Sequence, residues 1–245
     1  MGRWSRRSDG RVKRNRQFCP SRALPYKSRK PADTRPVLRQ LRPAQVLVFG
    51  HSFVRRLNKR LIKNKGAYHN LGLNFEFAEV HWLGIGGLNI KDARAEQLIV
   101  VEHLRPDVVY VELGTVDLSD IEMGPEEVAS HLHELALDMM ALGVKRVIIG
   151  QILFRDGRGI PNDTPYFNQR VLLANQILEA ILHPVNTMGT RFWKHKGLWQ
   201  SEYPTLVKDG VHLNRLGEGR LYRSIRGAVI QEVYSIQELF DHYYL

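Results

Sequence analysis

The amino-acid sequence predicts an α/β protein whose parallel sheet is covered on both faces by helices. Short β-rich apolar runs alternate with helix-like stretches from Pro43 to about residue 235. Each run is too short for a helix and is bounded by Gly, Pro or charge. Glycine-containing turns follow the first three runs, where a parallel sheet collects its reacting groups.

The strand-like runs are Val46 to Phe49, Phe75 to Leu83, Val108 to Leu113 and Val144 to Leu153. The helix-like stretches are Phe53 to Asn64, Ile90 to Leu104, Pro125 to Leu142, Phe167 to Leu182 and about Arg215 to Tyr234. Pro125 suits a first helical turn, where its missing N–H costs nothing. Near-continuous apolar strands separated by helices indicate a parallel rather than an antiparallel sheet.

Charge divides the chain. The 245 residues hold 36 Lys and Arg against 25 Asp and Glu, a formal net charge of +11. Residues 1–42 contain 14 of the basic groups and only Asp9 and Asp33 on the acidic side, a net of +12. The remaining 203 residues carry 22 basic and 23 acidic groups, a net of −1. The basicity therefore belongs to a tail and not to a nucleic-acid-binding fold. Pro20, Pro25, Pro31 and Pro36 with few large apolar residues predict that this tail is disordered. Three boundaries result: a basic tail over 1–42, a folded domain over 43–235 and a C-terminal extension over 236–245.

Several classes are excluded by composition. One cysteine, Cys19, permits neither an internal disulfide nor a cysteine-rich zinc site. No uncharged apolar run reaches the roughly 18 residues of a membrane span. No apolar stretch follows the early arginines, as a secretory signal requires, and Arg6 stands where a myristoylation signal needs Ser or Thr. The expected placement is intracellular, cytoplasmic or nuclear. For the tail three readings stay open: a nucleic-acid-contacting or nuclear-localising arm built on Arg11 to Arg16, an organelle transit segment, and a solvated linker.

Four loops carry the chemistry. Gly50-His51-Ser52 leads from the first strand into a helix. A hydroxyl there lies beside the free N–H groups of a helix N-terminus, where an oxyanion is stabilised. The plainer reading makes Ser52 the N-cap of a helix starting at Phe53. Gly84-Ile85-Gly86-Gly87 follows the second strand; a dinucleotide loop would need glycine where Asn89 stands. Gly114-Thr115-Val116-Asp117 follows the third strand, with Asp117 read as a turn-stabilising side chain. Asp209-Gly210-Val211-His212 precedes the last helix. Its three-residue spacing lets the carboxylate hold one imidazole nitrogen and leave the other free as a base.

This ordered set resembles the SGNH (GDSL-like) hydrolases over residues 44–233. The phrases Val48 to Phe53, Phe192 to His195 and Asp209 to Asn214 further resemble stand-alone esterase domains of animal genomes, some of them within retroelement reading frames. The resemblance implies a three-layer, flavodoxin-like α/β/α fold and hydrolysis of a small acyl ester without metal or organic cofactor. Ser52 is then the nucleophile, His212 the base and Asp209 its orienting partner, with the amides of Ser52 and Gly87 as oxyanion donors and Gly86 as the alternative to Gly87. His51 replaces a frequent Asp. Val116 replaces the asparagine that gives the oxyanion a side-chain donor, which implies slow turnover. A second reading is a weak or inactive module of this fold whose tail binds nucleic acid.

Other residues have plainer expectations. His131 and His133 are two apart on a helix and make a poor metal pair. Trp193, His195 and Trp199 either line an acyl pocket or pack. Phe240 to Leu245 either docks on the body or meets a partner.

Overall fold

The first strand of the computed structural model, β1 (Ala44–Gly50), is buried at nearly every position, as its continuous apolar run requires. The structure describes residues 42–63, 68–156, 164–183, 189–198, 201 and 206–243, with side chains to 237. The basic segment up to residue 41, Cys19 and Trp199 lie outside them.

The chain continues through α1 (Ser52–Lys63), β2 (Ala78–Gly84), α2 (Ile90–Asp92), a π turn (Ala93–Gln97) and α3 (Leu98–Leu104). There follow β3 (Val108–Glu112), a 3-10 turn (Asp117–Ser119), α4 (Pro125–Ala141), β4 (Arg146–Gly150), α5 (Thr164–Ile181), β5 (Thr190–Trp193) and α6 (Arg215–Tyr243). All four expected strands are present, and the expected helices start within three residues of their predicted positions. The single helix expected over Ile90 to Leu104 contains one wide turn. The fifth strand, β5, was not expected. The last helix extends to Tyr243, so residues 236–243 continue it.

The five strands form one parallel sheet in the order β2-β1-β3-β4-β5. Parallel strands need crossovers, and helices supply them. α1 shows how a helix is fastened: Phe53, Val54, Leu57 and Leu61 are buried at helical spacing, while Arg55 and Lys59 are exposed. Its first turn lies directly on the end of β2. A Cβ at Gly84 would come within 2.3 Å of the Arg55 amide, so only glycine permits this approach.

The strand order reverses direction at β1, between β2 and β3, and ligands bind at such a point beyond the strands' carboxyl ends. The register aligns the exits. Gly50 pairs with Gly84 on one side and with Glu112 on the other. The loops after β1, β2 and β3 therefore leave the sheet at one level.

Candidate functional site

Ser52 is the first residue of α1, not its cap. The His51 carbonyl accepts the Arg55 N–H at 3.1 Å, and the His51 ring nitrogen Nδ1 accepts from the Phe53 amide at 3.5 Å. His51 thus takes the capping position. The Ser52 hydroxyl is released from that duty and has no hydrogen-bond partner among the described residues.

A cavity of about 370 Å³ opens above these strand ends. It is lined by Ser52, Gly86 and Gly87, Thr115 and Val116, and His212, so all four expected loops meet there. Gly87 holds φ at +78°, with open space where a side chain would stand.

The loop carrying His212 is pinned at both ends. Val207 and Leu213 form an antiparallel bridge, and Asn214 Oδ1 accepts the amides of Leu216 and Gly217 at 2.9 and 3.0 Å to cap α6. Within the loop, Asp209 Oδ1 accepts the amides of Val211 and His212 at 3.2 and 2.6 Å. Asp209 Oδ2 meets His212 Nδ1 at 2.9 Å. Desolvation pushes the Asp209 carboxyl up, but the His212 amide, the His212 ring and the Val211 amide outweigh it and hold the group at about 2. It is therefore ionised at neutral pH, and His212 Nε2 is the nitrogen left for proton transfer. No Ser52–His212 hydrogen bond stands among the described residues; both line the same cavity.

Three neighbours complete the wall. His51 is 1% exposed, and burial lowers its pKa to about 4, Glu112 opposing the fall and His212 adding to it. Thr115 is buried, and its hydroxyl has no partner among the described residues. Val116 offers no donor. Asp117 Oδ1 accepts the Ile90 amide at 2.9 Å and so ties the third loop to the start of α2, agreeing with its expected backbone role. Burial raises its pKa.

A second Ser–His–carboxyl array lies deeper. Ser224 Oγ is 2.9 Å from His195 Nδ1, and His195 Nε2 is 3.2 Å from Glu112 Oε2 and 3.1 Å from the Tyr110 hydroxyl. Tyr110 donates to Glu112 at 2.6 Å, and the Trp193 indole donates to Ser224 at 2.9 Å. His195 has no exposed surface. Burial, and then the Glu112 charge, push the Tyr110 hydroxyl well up. None of these residues lines the cavity, so Trp193 and His195 pack and do not form an acyl pocket. This array ties α6 to the sheet.

Sequence reasoning missed Arg55, Arg56 and Arg155, which line the cavity beside Ser52. The available signal was the pair of arginines right after Ser52-Phe53-Val54 in a body with almost balanced charge. Among the described residues no group of three or more His, Cys, Asp or Glu could hold a metal ion. No described helix is long and apolar enough to cross a membrane.

Comparison by sequence matches neither a family model nor a curated protein. Comparison by structure finds similar chains. A protein assigned as an acylhydrolase from Bacteroides fragilis aligns at a TM-score of 0.63 and 17% identity, covering 80% of this chain and 92% of that one. A GDSL-like lipase from Bacteroides thetaiotaomicron aligns at 0.60 and 17%, covering 77% and 88%. A carbohydrate esterase of family 3 from Talaromyces cellulolyticus aligns at 0.57 and 17%, covering 78% and 99%. With its parallel sheet between layers of helix, the chain has the three-layer α/β/α fold of the SGNH, or GDSL-like, hydrolases.

Proposed function

We propose that the chain is a serine esterase acting on a small acyl ester, an acetyl ester by preference. The observation that carries this reading is the Asp209–His212 pair, bonded at 2.9 Å, bordering one cavity with an unpartnered Ser52 hydroxyl. The names of the similar structures, an acylhydrolase and a carbohydrate esterase among them, support the reaction class. Descent from the esterase domains of animal genomes and retroelements is part of the same proposal and rests on the sequence phrases given above.

In this mechanism Ser52 Oγ attacks the ester carbonyl carbon while its proton passes to His212 Nε2. The C=O π pair moves onto oxygen, which the Ser52 and Gly87 amides receive, with Gly86 as the alternative donor. Collapse expels the alcohol, which takes the proton from His212 and leaves an acyl-Ser52. Water then attacks the acyl-enzyme with His212 again as base, releasing the acid and restoring Ser52. Asp209 fixes the tautomer of His212 and stabilises the imidazolium. Ser52 and His212 close to hydrogen-bond distance when substrate fills the cavity, as commonly happens in sites that are open at rest.

Val116 makes turnover slow. An oxyanion side-chain donor is worth about 10²- to 10³-fold in rate. Release of p-nitrophenol from p-nitrophenyl acetate tests the reading: the intact chain turns the ester over, and Ser52→Ala abolishes this. Equal rates from both proteins refute it.

The +12 segment and Val116 favour a second reading, a weakly active module whose tail holds nucleic acid. Arg42 belongs to the folded part, where it pairs with Asp107 at 2.8 Å, so the informative deletion removes residues 1–41. On this reading, binding weakens steeply with salt and is lost on deletion. Unchanged affinity for RNA and DNA removes the reading.

A further inference from the structure

Among the described residues, the cavity beside Ser52 is lined by three arginines, Arg55, Arg56 and Arg155, and by no carboxylate. Arg155 is engaged, since it bonds the Ser119 hydroxyl at 2.5 Å and stacks 3.8 Å above the Phe167 ring. The Arg55 and Arg56 side chains have no hydrogen bond or ion pair among the described residues. The Arg55 guanidinium rests on Gly86, where a Cβ would come within 2.8 Å of Cζ. Arg56 is half-buried, and its Nε is wholly enclosed without a partner.

Enclosed unpaired donors on a cation are unfavourable unless something fills them. Other arginines of the domain are ion-paired: Arg60 meets Glu218 at 2.8 Å, and Arg94 meets Glu134 and Asp138 at 2.5 and 2.7 Å. A second cavity of about 360 Å³ shares Arg56 and adds Lys59, Lys63 and the paired Arg60 and Glu218. Positive charge therefore continues outward along α1 from the serine. His51, the other enclosed group at the wall, contributes no charge at neutral pH and leaves its Nε2 without a partner.

We infer that the ester bound at Ser52 carries a compact anionic group, a phosphate or a carboxylate, seated by Arg55 and Arg56 in a cavity that Arg155 also lines. Guanidinium groups match both anions through paired N–H bonds, and charge assistance makes such bonds the strong ones. This inference rests on the esterase reading for its ester but not for its anion. It also gives the tetrahedral oxyanion a positive surrounding in a site whose third loop lacks an amide donor.

Three matched acetyl esters test it on the full chain: 4-acetoxyphenyl phosphate, 4-acetoxybenzoate and the neutral 4-acetoxybenzamide. The expected kcat/KM for at least one anionic ester exceeds that of the amide by about tenfold or more. Whichever anionic ester is faster identifies the group. In Arg55→Gln/Arg56→Gln the ratio falls to within about twofold of one. Equal kcat/KM for all three esters, or a ratio that survives the double variant, overturns the inference. Arg55 is exposed, so Arg55→Gln alone serves if the double variant unfolds, with a partial fall expected and an unchanged ratio counting against the inference.

Binding of phenyl phosphate by calorimetry is read in parallel, independently of turnover, in Ser52→Ala with and without the arginine substitutions. Both proteins keep the basic tail, so its contribution cancels. About tenfold weaker binding on losing the arginines sustains the anion site even if no ester is hydrolysed; equal affinity refutes it.

Discussion

His51 couples the stability of this fold to pH through a single ring. It is fully enclosed between β1 and α1 and is held at about 4, against 6.5 for a free histidine, chiefly by burial. The folded pKa lies below the unfolded one, so the unfolded chain takes up the proton first on acidification. Stability from this group is therefore intact above about pH 6.5, falls as pH drops towards 4, and falls no further below it. Linkage over that pKa difference gives a loss of about 2.5 kcal/mol between pH 7.5 and 4.5. His51→Asn keeps an acceptor at the cap position and removes the titration. Urea unfolding followed by circular dichroism at both pH values, in both proteins, isolates the effect because all other groups are common. Wild type should lose about 2.5 kcal/mol more than the variant on acidification. Parallel losses would refute the assignment of a neutral, enclosed His51.

Three further outcomes are expected. Val116→Asn places a donor on the cavity wall and should raise kcat on p-nitrophenyl acetate by about 10- to 100-fold; no gain would mean that the neighbouring Thr115 hydroxyl already serves, which Thr115→Val would then reveal as a fall in kcat. Gly84→Ala forces a methyl against the Arg55 amide and should cost about 1–3 kcal/mol in urea unfolding. Ser224→Ala breaks the tie to His195 and Trp193, so it should lower the midpoint of thermal unfolding yet leave ester turnover in place, whereas Ser52→Ala should do the reverse.

What the sequence made legible was local. Gly50-His51-Ser52 could be placed because a strand, a glycine and a helix follow one another within a few residues, each with its own periodicity. Asp209 and His212 were readable because their contact spans three positions. The loops could be expected to converge because parallel strands all end on one side of a sheet.

What was not legible depends on distance along the chain. The Glu112–Tyr110–His195–Ser224 array joins residues more than eighty positions apart, and Glu112 looks like the polar end of an apolar strand. β5 escaped notice because it is a four-residue edge strand whose Arg191, Phe192 and Trp193 are only half-buried, without a clear alternation. Whether Ser52 or His51 caps α1 could not be read from residue types, since serine is the commoner cap. The structure gives that position to histidine and leaves the serine its hydroxyl. The arginines of α1 were visible as charge, but their direction towards the cavity follows only from how α1 lies on Gly84 and Gly86.

In the proposed mechanism Ser52 is an activated hydroxyl served by His212. A fluorophosphonate probe followed by peptide mass mapping measures this directly on the intact chain. One labelled residue is expected, Ser52, with labelling lost in Ser52→Ala and strongly reduced in His212→Ala. A folded protein that stays unlabelled, or one labelled equally with and without His212, would contradict it.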